Sequence, residues 1–412
     1  MNRVAITGLG VVSPLGNGAQ NFFDRLVQGR SGVTRLPNDF NPRLMSRVVA
    51  PVSFDGAAHF GAARLRMLDR VSQFALVAAA EAIADAGALF ERDDRDTTGV
   101  FVGTGMGGAQ STDEGYQTVY EEGSDRVKPY SVLMAMNNAA AAWIGIDHHL
   151  LGPNLTYSSA CSSSAVAIGE AWKRIATGEL NVMIAGGSEA PLTFGTLKAW
   201  EALKTLAMED PDDVSASCKP FAKNRSGLVL GEGAAMVVLE SWDRAMGRGA
   251  RIHAELAGYG LSMDAEHITR PTVAGQACAM TRTLESARIS AGDVGYVNAH
   301  GTATMANDAV ETAAIKQVFG PGAYALPVSS TKSMHGHLLG AAGALELVAA
   351  VLAIEKRVLP PTLHLVHADP ECDLDYVVGS ARPVPTLDAA ISNSFAFGGT
   401  NVSLLCRALA SE

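Results

Sequence analysis

No two of the five cysteines form a C-x-x-C pair; they lie at 161, 218, 278, 372 and 406. That excludes a disulfide framework and a zinc-ribbon cluster, and fits reduced thiols. No apolar run approaches the roughly 18 residues that span a bilayer. Positive charge is in deficit: 32 Lys and Arg against 42 Asp and Glu leave a formal net charge of −10. A general nucleic-acid binder needs the opposite balance, because phosphates must be neutralised. The opening Met1-Asn2-Arg3-Val4-Ala5-Ile6-Thr7-Gly8 is a short strand-like run, not a charged segment followed by a signal core. Pro- or Ser-rich linkers and low-complexity tracts are lacking too. Together these absences predict a soluble, cytoplasmic protein with neither a nucleic-acid nor a membrane partner.

What the chain does have is glycine and apolar residues. It carries 42 glycines in 412 residues, is 48% hydrophobic and only 18% charged, the balance of a well-buried globular enzyme. Strand-like runs at Val4–Leu9, Gly99–Gly103, Asn154–Ser159, Val182–Ala185, Ala234–Glu240, Ile252–Gly260, Val294–Ala299 and Val328–Ser330 alternate with helical ones at Val71–Ala86, Ala165–Ala176 and Leu338–Glu355. Such alternation predicts an α/β fold with buried sheets. Asp69 opens the first of those helices and Gly87 ends it. An internal echo is visible: strand, small-residue turn and helix at 154–177 recur at 326–356. It predicts two similar halves, 1–250 and 251–412, with their turns on the same side of a shared core.

The first of those turns is Tyr157-Ser158-Ser159-Ala160-Cys161-Ser162-Ser163-Ser164-Ala165. A cysteine between a strand and a helix meets free backbone N–H groups and the positive end of the dipole, which favour the thiolate. The spacing therefore predicts a nucleophile with a depressed pKa, against the alternative of a buried structural cysteine. His300 ends a strand-like run in Asn298-Ala299-His300-Gly301-Thr302. His337 follows Thr331-Lys332-Ser333-Met334-His335-Gly336. Histidines at strand ends suit donation to a developing oxyanion or enolate; the alternative for each is a satisfied core or surface histidine. A metal reading of His335-x-His337 finds no acidic or sulfur ligand at helpful spacing, and no metal is predicted.

Five motifs occur in order: Val-x-Ile-Thr-Gly-Leu-Gly at 4–10, the cysteine turn, His-Gly-Thr-x-Thr at 300–304, Thr-Lys-Ser-Met-x-Gly-His at 331–337 and Asn-Ser-Phe-x-Phe-Gly-Gly-Thr-Asn at 393–401. The ordered set resembles the elongating β-ketoacyl-[acyl carrier protein] synthases of type II fatty acid synthesis, over nearly the whole chain. The resemblance implies a thiolase-like fold, a duplicated five-layer αβαβα sandwich with mixed sheets, working as a dimer. It implies an acyltransferase that needs no cofactor and takes its substrates on the phosphopantetheine of acyl carrier protein. Cys161 would accept the acyl chain, with the amides of Cys161 and Phe397 as oxyanion hole. His300 and His337 would stabilise the enolate left by decarboxylation of malonyl carrier protein, and Lys332 would supply a positive charge beside them; the alternative for Lys332 is a solvated surface lysine. Thr302 and Thr304 match positions that bind the pantetheine arm, Phe397 a gating aromatic and Met106 a residue of the acyl pocket. Asn298, Glu346, Ser392 and Asn401 match positions that hold a structural monovalent cation in some relatives.

Departures from the pattern are equally legible. In Lys219-Pro220-Phe221-Ala222-Lys223-Asn224-Arg225-Ser226-Gly227 two acidic groups of the family are replaced by Ala222 and Ser226, which puts a local ion-pair network in doubt. Arg270 stands where a small hydroxyl residue is usual, either to contact the cofactor phosphate or simply solvated. These changes leave open a specialised condensing enzyme of a polyene or polyketide-type secondary-metabolite pathway, and a heterodimer with a synthase-like partner beside a homodimer. An acidic carrier protein needs a local basic dock on an acidic enzyme, for which Arg64, Arg66, Arg70, Arg126 and Lys128 are the candidates.

Three other readings compete. Gly103-x-Gly105-x-x-Gly108 formally matches a dinucleotide fingerprint, but 109–115 shows little of the helical periodicity that should follow. A coenzyme A thiolase-like acyltransferase would need a second cysteine as base, and Cys218, Cys278, Cys372 and Cys406 lie in no such context. A non-catalytic chain-length factor would lack the nucleophile that Cys161 supplies.

Overall fold

The computed structural model describes residues 1–87 and 92–409. Its first half contributes β1 (Val4–Ser13), α1 (Arg70–Asp85), β2 (Gly99–Gly103), α2 (Ala139–His148), β3 (Asn154–Tyr157), α3 (Ser163–Ala176), β4 (Val182–Glu189) and β5 (Gly233–Ser241). The second contributes β6 (Ala254–Met263), α4 (Val273–Ala287), β7 (Tyr296–Asn298), α5 (Met305–Phe319), β8 (Val328–Ser329), α6 (Ala342–Lys356), β9 (Ala389–Phe395) and β10 (Thr400–Arg407).

The strand orders are β3-β2-β4-β5-β1 and β8-β7-β9-β10-β6, the same path repeated. Pairing repeats as well. β2 is parallel to β3 and β4, and β7 to β8 and β9, while the remaining neighbours run antiparallel. The two sheets touch where Ala5 and Ile6 pair with Glu255 and Ala254. Helices α1 and α2 cover one sheet, α4 and α5 the other, and α3 and α6 pack between them, which gives the thiolase-like αβαβα layering. Inside this sandwich α6 has a nearly all-round apolar surface, as a helix buried on every side requires.

Local chemistry places the elements. The Asp69 carboxylate accepts from Val71 N at 3.0 Å and caps α1. Gly87, just past its end, takes φ 58°. The sequence periodicity does not mark β9 and β10: Ser392, Asn393, Ser394 and Ser403 are buried in them, and with both faces covered the apolar alternation disappears. The expectation of no helix after Gly108 is corrected, since Ala109–Tyr116 is helical. No described helix is long and apolar enough to cross a membrane.

Candidate active site

The parallel strands β3, β7 and β8 deliver the chemistry from their carboxyl ends, where βα units leave a crevice. Cys161 follows β3 in a 3-10 turn, Ala160–Ser162, that runs into α3. Ala160 is held at φ 48°, a left-handed conformation costing roughly 1–2 kcal/mol for a residue with a Cβ. The serines around it satisfy the turn. Ser163 Oγ accepts from Ser159 N at 2.9 Å and donates to Ala160 O at 2.6 Å, and Ser162 Oγ donates to Ser159 O at 2.9 Å. Gly103 is required beside it, because a Cβ there would lie 2.2 Å from Ser164 N.

His300 extends from β7, and its amide and that of Gly301 donate to Glu311 at 2.8 and 2.7 Å. His337 follows β8 and sits before α6, its backbone tied to Val229 O at 2.7 Å. Donor atoms of Cys161, His300 and His337 all lie within 4.8 Å of one another. The imidazoles meet edge to face, with centroids 5.3 Å apart. All three side chains are buried. They line a cleft of roughly 500 Å³, mouth included, together with Thr302, Thr304 and Phe397.

Lys332 is no surface lysine: it is 0% exposed. Its ammonium donates to His300 O at 2.6 Å and to Glu346, and meets His300 Nδ1 at 3.3 Å. An ammonium can only donate, so Nδ1 of His300 accepts and Nε2 carries the proton. That tautomer suits hydrogen-bond donation into the cleft rather than metal ligation. Neither ring nitrogen of His337 has a partner among the described residues. Burial, reinforced by the Lys332 charge, holds both imidazoles well below their usual pKa, so they are neutral. His335 is the satisfied core histidine of the sequence alternatives, bonded to Gly336 O at 2.8 Å and Thr331 Oγ1 at 3.0 Å.

The expectation of a depressed thiol is corrected. Burial pushes Cys161 up to about 12, against the opposing pull of the Lys332 charge and the amide N–H groups of Phe397 and Cys161, which point to the sulfur. In the resting site a neutral thiol faces neutral imidazoles.

Thr302 and Thr304 share a 2.8 Å hydroxyl contact on the cleft wall, and Thr304 Oγ1 caps α5 through Asn307 N at 3.2 Å. The Phe397 ring stacks on Trp200, centroids 5.9 Å apart. Arg270 is at the mouth, in a stretch 267–271 that lines it. Met106 does not line this cleft and is 41% exposed. The amides of Gly105 and Met106 donate to Glu189 at 2.7 and 2.9 Å, so the Gly103–Gly108 turn has no free amides there for a pyrophosphate. Arg225 regains an ion-pair network from distant segments: it donates to Asp369 at 2.6 Å and Thr304 O at 3.0 Å, with Asp308 at 3.8 Å.

Among the basic candidates, Arg70 is bound to Glu232 at 2.7 Å and Val52 O at 3.0 Å, Arg64 to Asp147, and Lys128 to Glu114 at 2.6 Å. Arg66 and Arg126 are exposed, with no ion pair among the described residues. For the cation reading, Asn298 Oδ1, Glu346 Oε2 and Ser392 Oγ are buried oxygens without a partner, and Asn298 is in register with Ser392. Three oxygens of this kind fit a hard monovalent cation. The Oδ1 of Asn401 is likewise buried without a partner among the described residues, but lies further along the sheet. Asn401 aligns with Phe395, about 10 Å along the ladder from Ser392, and its amide donates to Asp264 at 2.9 Å. Sequence reasoning missed Glu189, Glu311 and Trp200; only Glu189 carried a local signal, as the acidic end of an otherwise apolar or small-residue strand.

Comparison with known proteins decides the family. The family model described as "Beta-ketoacyl synthase, N-terminal domain" matches residues 1–245, and that described as "Beta-ketoacyl synthase, C-terminal domain" matches 253–366. The chain belongs to the β-ketoacyl synthase family. It is 44% identical to Nodulation protein E of Rhizobium meliloti (strain 1021) over 402 residues, 98% of each chain. It is 39% identical to 3-oxoacyl-[acyl-carrier-protein] synthase 2 of Synechocystis sp. over 405 residues, 98% of this chain and 97% of the other. A solved type II polyketide synthase ketosynthase, in complex with its acyl-carrier protein and bound to the hexaketide, superposes with a TM-score of 0.90 at 32% identity, over 99% of both chains. As a β-ketoacyl synthase the protein is an acyltransferase of the 3-oxoacyl-[acyl carrier protein] synthase type.

Proposed function

We propose that this β-ketoacyl synthase performs the decarboxylative condensation of fatty acid elongation in two stages at one cleft. In the first, the Cys161 thiol attacks an acyl thioester carried by acyl carrier protein. The thiol proton passes to the departing carrier thiolate as the S–C bond forms, and the two imidazoles are kept for the second stage. The amides of Cys161 and Phe397 hold the oxyanion. In the second stage malonyl carrier protein loses carbon dioxide, and the enolate oxygen accepts from N–H groups of His300 and His337. The enolate carbon then attacks the acyl-cysteine, forming the C–C bond and expelling the cysteine sulfur, which takes from water the one proton that the overall reaction consumes. The convergence of one thiol and two neutral imidazoles carries this reading.

A raised thiol pKa suits the scheme. A proton passed on during attack, rather than lost beforehand, avoids a bare thiolate in a dry site. Thr302 and Thr304 bind the pantetheine arm and Arg270 its phosphate at the mouth; Met106, outside this cleft, is not given the acyl chain. Arg66 and Arg126 lead the carrier dock, with Arg64, Arg70 and Lys128 already engaged within the chain. Asn298, Glu346 and Ser392 would hold a monovalent cation that offsets buried negative charge; no step depends on it.

The enzyme works in the cytoplasm, through halves 1–250 and 251–412, as a homodimer. The end strand β3, with exposed Leu155, and exposed Met106, Tyr120, Val132 and Leu133 fit burial against a second copy. The likeness to Nodulation protein E and to a polyketide ketosynthase supports a second reading, a specialised condensing enzyme paired with a synthase-like subunit. Incubating the purified protein with acyl and malonyl carrier proteins and detecting β-ketoacyl product by mass spectrometry tests the main reading. Cys161→Ala should abolish acylation, whereas His300→Ala and His337→Ala should impair decarboxylation more than acylation. Normal condensation by both histidine variants would overturn the role assignment.

A further inference from the structure

Glu189, the last residue of β4, is a fully buried carboxylate that the condensation scheme leaves without a task. Among the described residues every hydrogen bond it accepts comes from a neutral donor: Gly105 N at 2.7 Å, Met106 N at 2.9 Å, Gly340 N at 2.8 Å and Thr104 Oγ1 at 3.1 Å. The first two and the last belong to the loop after β2, where Gly105 approaches Ala160 of the cysteine turn. Gly340 comes three residues after His337, at the entry to α6 from the other half. The packing has no slack, since a Cβ on Gly340 would lie 2.4 Å from Gly105 N and 2.6 Å from the Glu189 carboxylate. Among the described residues nothing bonds to the His337 ring, so backbone bonds on either side of it are what aim the imidazole.

We propose that Glu189 is a positioning residue for the malonyl stage: its carboxylate ties the 104–106 loop to Gly340 and so fixes His337 against Cys161. A second effect follows from its charge. Burial raises Glu189 to about 7 against the pull of its four bonds. In its ionised form it disfavours the Cys161 thiolate, while Lys332 favours it; the other groups facing that sulfur, His300 and His337, are neutral. Clamp and charge therefore push the two stages in opposite directions when Glu189 is changed. A residue with a merely structural role would lower both.

This inference rests on the condensation reading, and the experiment separates the two. Glu189→Gln and Glu189→Asp are compared with the unaltered protein in malonyl carrier protein decarboxylation, in self-acylation, and in iodoacetamide alkylation of Cys161 between pH 6 and 9. Glutamine offers one acceptor oxygen to four donors, so decarboxylation in E189Q should fall about tenfold or more relative to self-acylation. Loss of the charge should raise its alkylation rate at neutral pH roughly twofold or more. E189D keeps the charge but withdraws the carboxylate, so decarboxylation should fall with alkylation near the unaltered rate. Equal losses in both stages, or E189Q alkylating no faster, would overturn the proposal. An unaltered protein inert toward both carrier substrates would overturn the condensation reading instead, and the alkylation arm would still decide whether Glu189 acts on Cys161.

Discussion

His253 stands 2.7 Å from Asp85, with its other ring nitrogen 2.9 Å from Glu355. The imidazole thereby joins the end of the outer helix α1 to the end of the central helix α6, beside the place where β1 and β6 meet. Burial opposes its protonation, but the bonds to the two carboxylates prevail and raise its pKa; Arg251, facing it through Glu355, works against them. A histidine whose folded pKa lies above its unfolded value of 6.5 stabilises fully below that pH, and the contribution fades as pH rises through the folded pKa. His253→Gln should therefore cost about 2 kcal/mol at pH 6, read by chemical denaturation, and much less at pH 9. A penalty independent of pH would refute the charged bridge.

Lys332 provides the second prediction. Lys332→Met removes the donor that sets the His300 tautomer and leaves Glu346, which burial raises to about 7, to take up a proton. Decarboxylation should fall on the order of 100-fold, as when one preorganised donor is lost from such a site. Acylation should fall less, because the amides of Cys161 and Phe397 remain. Single-turnover assays of each stage measure the split.

Nuclear magnetic resonance of protein labelled with ¹⁵N-histidine checks the third. His300 should give the signature of a neutral Nε2–H ring at pH 6, and His335, donating to Gly336 O, that of a neutral Nδ1–H ring. Burial holds His335 down to about 3, and His300 and His337 well below their usual range, so none of the three should titrate between pH 6 and 8.

Arg225 supports the fourth. It is 4% exposed and serves Asp369, Asp308 and the Thr304 carbonyl together. Arg225→Ala strands the buried Asp308 carboxylate and should cost about 3–5 kcal/mol in a denaturation experiment. Where the variant is still folded, KM for acyl carrier protein should rise more than kcat falls, because the Thr302–Thr304 turn loses its brace.

Legibility in the sequence followed from how local each cause is. The cap at Asp69, the serine-satisfied turn at Cys161 and the buried run of α6 depend on neighbours within a few residues. The echo between 154–177 and 326–356 corresponds to α3 and α6 with their preceding turns, the paired elements between the sheets. By contrast, β9 and β10 gave no alternation because both of their faces are covered. Glu189 and Glu311 were passed over because their meaning lies in which distant amides they meet. The departures at Ala222 and Ser226 suggested a lost network, yet Asp308 and Asp369 supply it from far along the chain.

The order and chemical types of the residues predicted an α/β fold and a thiol with two imidazoles, and the family resemblance of the ordered motifs added the sandwich and the ammonium. Tertiary structure alone decided their protonation: it buries Cys161 and removes the solvation a thiolate needs, and it sets Lys332 against Nδ1 of His300. Charge state is a property of surroundings, and those surroundings come from other elements: Lys332 is 32 residues from His300, and both lie in the half of the chain that Cys161 does not.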